Sequence, residues 1–271
     1  MYKIEGLGWL PDLPDDRDLT LDDNDAIDSV SNTETVFALT APKPKKENIV
    51  DLREYCTKIE NQGNLGSCTS QAIVGLVEYI QKRAHNQHIE GSRLYLYYCT
   101  RYLLGWLSRG DTGAFVRSTI KALRLFGIAP EQYWPYNIKR FNERPTPEVF
   151  TIAGNYKALR YHRLRNLKEV KDSLSKGIPC ACGFPVFTNH MLPEAAKTGY
   201  IKVPNKGDKQ VGGHAVGIFG YNDNTGHLLI RNSWGSEWGV DGYGFLPYEF
   251  VNRGLATDFW ALTSTNYESL K

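Results

Sequence analysis

"GNLGSCTSQAIVGLVEYI", residues 63 to 80, passes from a glycine-rich turn into an apolar-periodic run, with a cysteine at the junction. Ile73, Leu76, Val77 and Ile80 fall at i, i+3, i+4 and i+7, the spacing of one face of an amphipathic helix, and Ser67 stands where an N-cap belongs. The pattern places Cys68 in the first helical turn, where unpaired N–H groups and the positive end of the helix dipole favour a thiolate. A lone cysteine is also an ordinary small buried hydrophobe. As a nucleophile it needs a base.

The 271 residues, 41% hydrophobic, suffice for one large core or two lobes. The most apolar run, "LYLYYCTRYLLGWL" at 94–107, is too short to span a bilayer and carries Arg101, so it reads as a buried helix and no membrane partner is expected. The N-terminus lacks a basic stretch leading into an apolar one, so no secretory signal is visible, and the compartment stays open between the cytoplasm and an unrecognised export route. Five cysteines (Cys56, Cys68, Cys99, Cys180, Cys182), an odd number without C-x-x-C spacing, argue against a disulfide framework or a structural metal, and no cofactor is implied. A net charge of +2 without a basic cluster makes nucleic acid an unexpected partner.

The charge is unevenly spread. Residues 1–40 carry a net −8 and the remainder +10, with the Pro- and Lys-rich "APKPKKENI" at 41–49 between them reading as an exposed linker. The expected division is an acidic N-terminal segment with its linker, 1–49, and a single domain, 50–271, helix-rich over about 67–130 and strand-rich over about 155–265.

The base lies in the strand-rich half. "GGHAVGIFGYNDNTGHLLIRNSWGSEWG", 212–239, reads as a hairpin with a turn over Asn222 to Gly226. A turn centred near 223 sets His214 opposite Asn232, within a residue or two. An Asn oxygen accepting from one ring nitrogen fixes the tautomer and aims the other nitrogen at a nucleophile. Trp234 and Trp238 are candidate core aromatics or shields for that hydrogen bond.

"NQGNLGSCTSQA", "GGHAV" and "RNSWGSEWG", in this order, resemble the papain-like cysteine peptidases, and the similarity extends over about 50–265. The resemblance implies an α+β, papain-like two-lobe fold, a helical lobe plus an antiparallel β lobe with the active site in the cleft between them. Matching positions make Cys68 the nucleophile, His214 the general base and then acid, Asn232 the orienter of the ring, and Gln62 an oxyanion donor together with the Cys68 N–H. They also imply a substrate-binding set of Gly113, Ala114, Phe115, Gly213, Ala215, Trp234 and Asp258. Asp258 would floor the pocket for the side chain two residues before the scissile bond (P2) and favour Arg or Lys there, unless it caps a turn or pairs with a neighbouring arginine.

Leu65 and "GDTG" at 110–113 lack half-cystines that many relatives carry, so the helical lobe is expected to hold by packing alone. The N-terminal segment is as short as that of bacterial members of the family. It is expected to cover the cleft and inhibit in cis, with Trp9, Leu10 and Leu13 as apolar anchors, charge attraction to the body, and a hold that weakens at acid pH. The partners implied are a peptide substrate and this segment, in a monomer. A papain-fold acyl transferase, an exopeptidase and an inactive binding module are the alternatives to an endopeptidase.

Overall fold

The computed structural model describes residues 6–20, 35–36 and 47–265. The helical half carries α1 (Cys68–His85), α2 (Arg93–Leu103), α3 (Val116–Phe126) and α4 (Pro147–Ala153). The strands are β1 (Thr35–Val36), β2 (Ile49–Asp51), β3 (Ala158–Leu164), β4 (Cys180–Phe187), β5 (Gln210–Asn222), β6 (His227–Arg231), β7 (Tyr243–Pro247) and β8 (Thr257–Thr265). They form one sheet in the order β1-β8-β4-β5-β6-β7, with β2 added to β5 and β3 to β8. Every pairing is antiparallel. The helical and strand-rich halves are therefore the two lobes of an α+β fold.

Helix α1 starts at Cys68, where the periodicity puts it, and packs on β5, α2 and α3 with Ile73, Leu76, Val77 and Ile80 buried. Its buried Glu78 costs little because it is fully partnered: Arg93 at the start of α2 lies 2.9 Å away, Thr57 donates at 2.6 Å and the Gly91 N–H at 3.0 Å. This pair pins the two helices together. Ser67 occupies the N-cap position, but its hydroxyl does not cap the helix. It lies 2.7 Å from the Tyr136 hydroxyl, whose own proton goes to the Gln62 carbonyl at 3.0 Å, so the turn before the cysteine is tied from outside the helix.

The β5–β6 hairpin forms with a different register from the expected one. Its turn is Asp223–Gly226, so Asn222 pairs with His227, and a bulge between Ile218 and Gly220 brings Gly217 opposite Arg231. The pairing is thus displaced by two to three residues, and His214 and Asn232 meet through their side chains rather than directly across the ladder. All five cysteines are free, and Cys99, Cys180 and Cys182 are core residues. Among the described residues no helix is long and apolar enough to cross a membrane.

Candidate active site

Cys68 opens α1 at the lobe interface, and His214 sits on β5 of the facing lobe, beside Phe184 of β4. His214 Nε2 lies 2.8 Å from Asn232 Oδ1, and an amide oxygen there requires Nε2 to carry the proton. Nδ1 is left as a buried lone pair without a hydrogen bond among the described residues, the state a general base needs. Trp234 stacks on the imidazole, centroids 4.5 Å apart, and Trp238 packs edge-on against Trp234 at 5.4 Å. The tryptophans therefore do both jobs expected of them, core filling and covering the His–Asn bond.

The Asn232 oxygen also accepts the Ser233 N–H at 2.8 Å, and the Ser233 hydroxyl donates to Gln62 Oε1 at 2.5 Å. Fixing Oε1 turns Gln62 Nε2 towards the cleft, where it donates to the Gly6 carbonyl and, at 2.9 Å, to that of Leu65. Ser233 was not singled out from the sequence, although it directly follows Asn232. Asp111 likewise went unnoticed: it accepts from the Gly66 N–H at 2.8 Å and from the Tyr97 hydroxyl, which in turn accepts the Gly113 N–H at 3.0 Å. Together they brace the loop ahead of the nucleophile against the Gly113 turn of the same lobe.

The N-terminal segment runs through this cleft. The Gly8 and Trp9 N–H groups both donate to the Gly213 carbonyl at 3.0 Å, the Ala114 N–H donates to the Gly8 carbonyl at 2.7 Å, and the Leu10 N–H to the Ala114 carbonyl at 3.1 Å. The contact is too close for a side chain: a Cβ on Gly8 would lie 2.0 Å from the Gly66 oxygen. Trp9 is buried on Gly183, where a Cβ would fall 2.0 Å from the indole, and its Nε1–H donates to Asp258 Oδ2 at 3.1 Å. The same oxygen accepts the Asp12 N–H at 2.9 Å. Beyond it, Asp18 Oδ2 lies 2.5 Å from Arg117 and 2.7 Å from Arg163, and the Arg163 N–H donates to the Leu19 carbonyl at 2.7 Å.

Covering changes the electrostatics. The sulfur is approached by the backbone N–H groups of Ala215, Gly8, Thr69 and Cys68, which favour a thiolate, yet burial outweighs them and pushes the thiol up to about 11. Burial also lowers His214 to about 4, against the Asn232 hydrogen bond. In the covered state the pair is a neutral thiol and a neutral imidazole, whereas the helix terminus alone led to the expectation of a stabilised thiolate.

Of the expected substrate-binding residues, Gly113, Ala114, Gly213 and Asp258 line the path of the segment, and Ala215 presents its N–H to the sulfur. Phe115 instead packs its ring on Trp106, centroids 5.5 Å apart, and Trp234 serves the histidine. Asp258 has an arginine beside it, Arg163 at 3.5 Å, so the paired alternative describes it better than a bare carboxylate awaiting a basic side chain. Leu13 is 81% exposed and anchors through its carbonyl, which accepts from Arg117 at 2.8 Å, not through its side chain. The linker residues 41–46 lie outside the described residues.

A thiol at a helix start, an imidazole held by a carboxamide and an amide donor beside them, divided between two lobes, define a cysteine hydrolase of the two-lobe type. Residues 46–257 match the model of the papain family cysteine proteases, and the chain belongs to that family. It is 34% identical over 273 residues to an uncharacterized peptidase C1-like protein of Acanthamoeba polyphaga mimivirus, covering 94% of this chain and 86% of that protein. Among solved structures it is similar to xylellain, a cysteine protease from Xylella fastidiosa, at 31% identity and TM-score 0.78 over 97% of both chains. The Amb a 11 cysteine protease of ragweed pollen, in its proform, shares the fold at 22% identity and TM-score 0.67, over 84% of this chain and 69% of that one. The chain is accordingly a papain-like cysteine protease.

Proposed function

We propose that this protease is an endopeptidase acting through Cys68, His214 and Asn232, made as a zymogen whose residues 1–49 inhibit in cis. The observation that carries the reading is the Gly6 carbonyl resting on Gln62 Nε2, beside the Cys68 turn: a peptide carbonyl already occupies the place where an acyl oxygen would develop charge. His214 Nδ1 takes the thiol proton as Sγ attacks the carbonyl carbon, and Gln62 Nε2 and the Cys68 N–H stabilise the oxyanion. The imidazolium, kept in plane by Asn232, then protonates the leaving amine, and water resolves the thioester by the same steps in reverse.

The polarity of the segment supports inhibition without cleavage. It runs from Gln62 at Gly6 towards Asp258 at Trp9 and Asp12, and pairs with Ala114 in parallel. A substrate with its acyl side on the Asp258 wall runs the other way. The segment therefore fills the cleft with its peptide bonds reversed relative to the attacking sulfur.

The test is active-site titration with a thiol-directed epoxide after the chain is cut between Val36 and Ile49 and the N-terminal piece is removed, with a separate, untitrated portion of the same protein incubated with a peptide library. Stoichiometric labelling at Cys68 and internal cleavage of library peptides are expected. Labelling without cleavage would defeat the endopeptidase assignment.

A further inference from the structure

Arg117, in the first turn of α3, and Arg163, on β3, both lie against the buried indole of Trp260, their guanidinium carbons 5.7 and 5.8 Å from its ring centroid. One oxygen of Asp18 is shared between them, 2.5 Å from Arg117 Nη2 and 2.7 Å from Arg163 Nη1. Asp12 adds a second carboxylate, accepting the Arg117 N–H at 3.1 Å and lying 3.6 Å from its Nη1. The side chains of Arg117, Asp12 and Asp18 are each less than a tenth exposed. Both carboxylates belong to the segment that covers the cleft.

When that segment leaves, the pair keeps, besides the Trp260 ring, one counter-ion from the body of the protein among the described residues: Asp258, 3.5 Å from Arg163. Two guanidiniums then face a single carboxylate in a partly desolvated wall, and a buried charge without its counter-ion is strongly unfavourable. An incoming carboxylate restores the charge-assisted pairs, and Arg is the side chain best shaped to grip it. A lysine or arginine of a substrate would instead enter a region already holding two positive charges.

We propose that Arg117 and Arg163 form an anion-binding subsite of the uncovered cleft, selecting peptides with an aspartate or glutamate upstream of the residue seated at Asp258; the term substrate here rests on the peptidase reading above. Asp12 and Asp18 of the covering segment are its occupants in the latent chain. The subsite adds an acidic preference upstream of the position at which Asp258 by itself suggests a basic one. Because Asp12 lies three residues beyond Trp9 and its N–H reaches the same Asp258 oxygen, the acidic position falls at P3 to P5 when an aromatic residue takes the Trp9 pocket.

The test uses full-length Cys68→Ala protein cut between Val36 and Ile49, with the N-terminal piece removed at high salt. Labelled peptides with a constant aromatic residue at P2 carry Glu, Gln or Lys at P3, P4 or P5, and their Kd is measured by anisotropy. At one position Glu is expected to bind about tenfold tighter than Gln, with Lys weaker than both. The advantage should shrink at about 0.5 M salt and vanish in Arg163→Gln, while Arg163→Lys, the control for loss of fold, keeps part of it. Equal Kd for Glu and Gln at every position, or a preference that persists in Arg163→Gln, overturns the proposal. Incubating the same peptides with the Cys68 protein separates the two readings. Glu-selective binding with no cleavage defeats the peptidase and leaves the subsite, whereas cleavage without selectivity defeats the subsite alone.

Discussion

Asp258 on the last strand accepts the indole N–H of Trp9 at 3.1 Å, joining residues 249 positions apart across the mouth of the cleft. The ring is buried on the backbone of Gly183 and Gly213, so Trp9→Ala forfeits both the hydrogen bond and the apolar contact. Truncating a buried tryptophan costs about 3 kcal/mol or more, roughly a hundredfold in the closed-to-open ratio. Iodoacetamide should alkylate Cys68 about that much faster in full-length Trp9→Ala than in the parent. An unchanged rate would show that the segment is held elsewhere.

The pH dependence of the closed state has an unusual sign at Asp12. Burial, and then the neighbouring Asp258 charge, raise its carboxyl from 3.8 to about 6, and burial raises Asp258 as well. The closed form therefore binds more protons than the open one. Acidification through pH 6 towards 4 strengthens closure through this group, with a ceiling of about 3 kcal/mol, opposite to the loosening expected from charge attraction alone. The Kd of the cut segment, measured by gel filtration from pH 7 to 4.5, should fall with acidity more steeply in the parent than in Asp12→Asn. Identical slopes in the two would refute the assignment.

Burial of the Cys68 thiol and the His214 imidazole predicts a second observable. With the thiol at about 11 and the imidazole at about 4, the covered protein holds no thiolate–imidazolium pair at neutral pH. Opening hydrates both groups and returns each towards its ordinary range. The pH profile of Cys68 alkylation should shift to lower pH by more than a unit when the segment is removed, a comparison that pH-stat mass spectrometry can make.

Gln62→Ala should lower kcat about 10²-fold with little change in KM, as removal of an oxyanion donor does. Ser233→Ala leaves Gln62 Oε1 without its 2.5 Å donor and should lower kcat by about tenfold through misorientation of Nε2. Steady-state kinetics on the activated protein separate the two effects. A change confined to KM would place both residues in binding instead.

The thiol, imidazole and carboxamide of the proposed site were legible because each sits in a short local pattern: a helix start for Cys68, a hairpin for His214 and Asn232. The two lobes were legible for the same reason, from periodicity and composition. The exact register was not, because the turn was centred near 223 whereas Asn222 pairs with His227 and centres it between 224 and 225; the bulge after Ile218 shifts the pairing by one residue only. Nor were Arg117 and Arg163 visible as a pair. They stand 46 positions apart on a helix and a strand, and only the Trp260 ring and the Asp18 carboxylate bring them together. Leu13 misled because apolar character alone does not decide which face of an extended segment meets the wall.

The covering segment is attached at several places besides the cleft: Thr20 bridges to Arg163, Thr35–Val36 pairs with Ser264 and Thr265 of β8, and Ile49–Asp51 lies on β5. A single break between Val36 and Ile49 leaves the detached piece docked by its backbone and turns an intramolecular latch into a bimolecular ligand. With the proposed inhibition, onset of activity becomes a matter of dilution: at high protein concentration each liberated piece would silence a neighbouring molecule, and in a small amount spread through a large volume it would be lost to solvent. Under the proposed inhibition, the cut protein would stay silent where it is crowded and act where it is sparse.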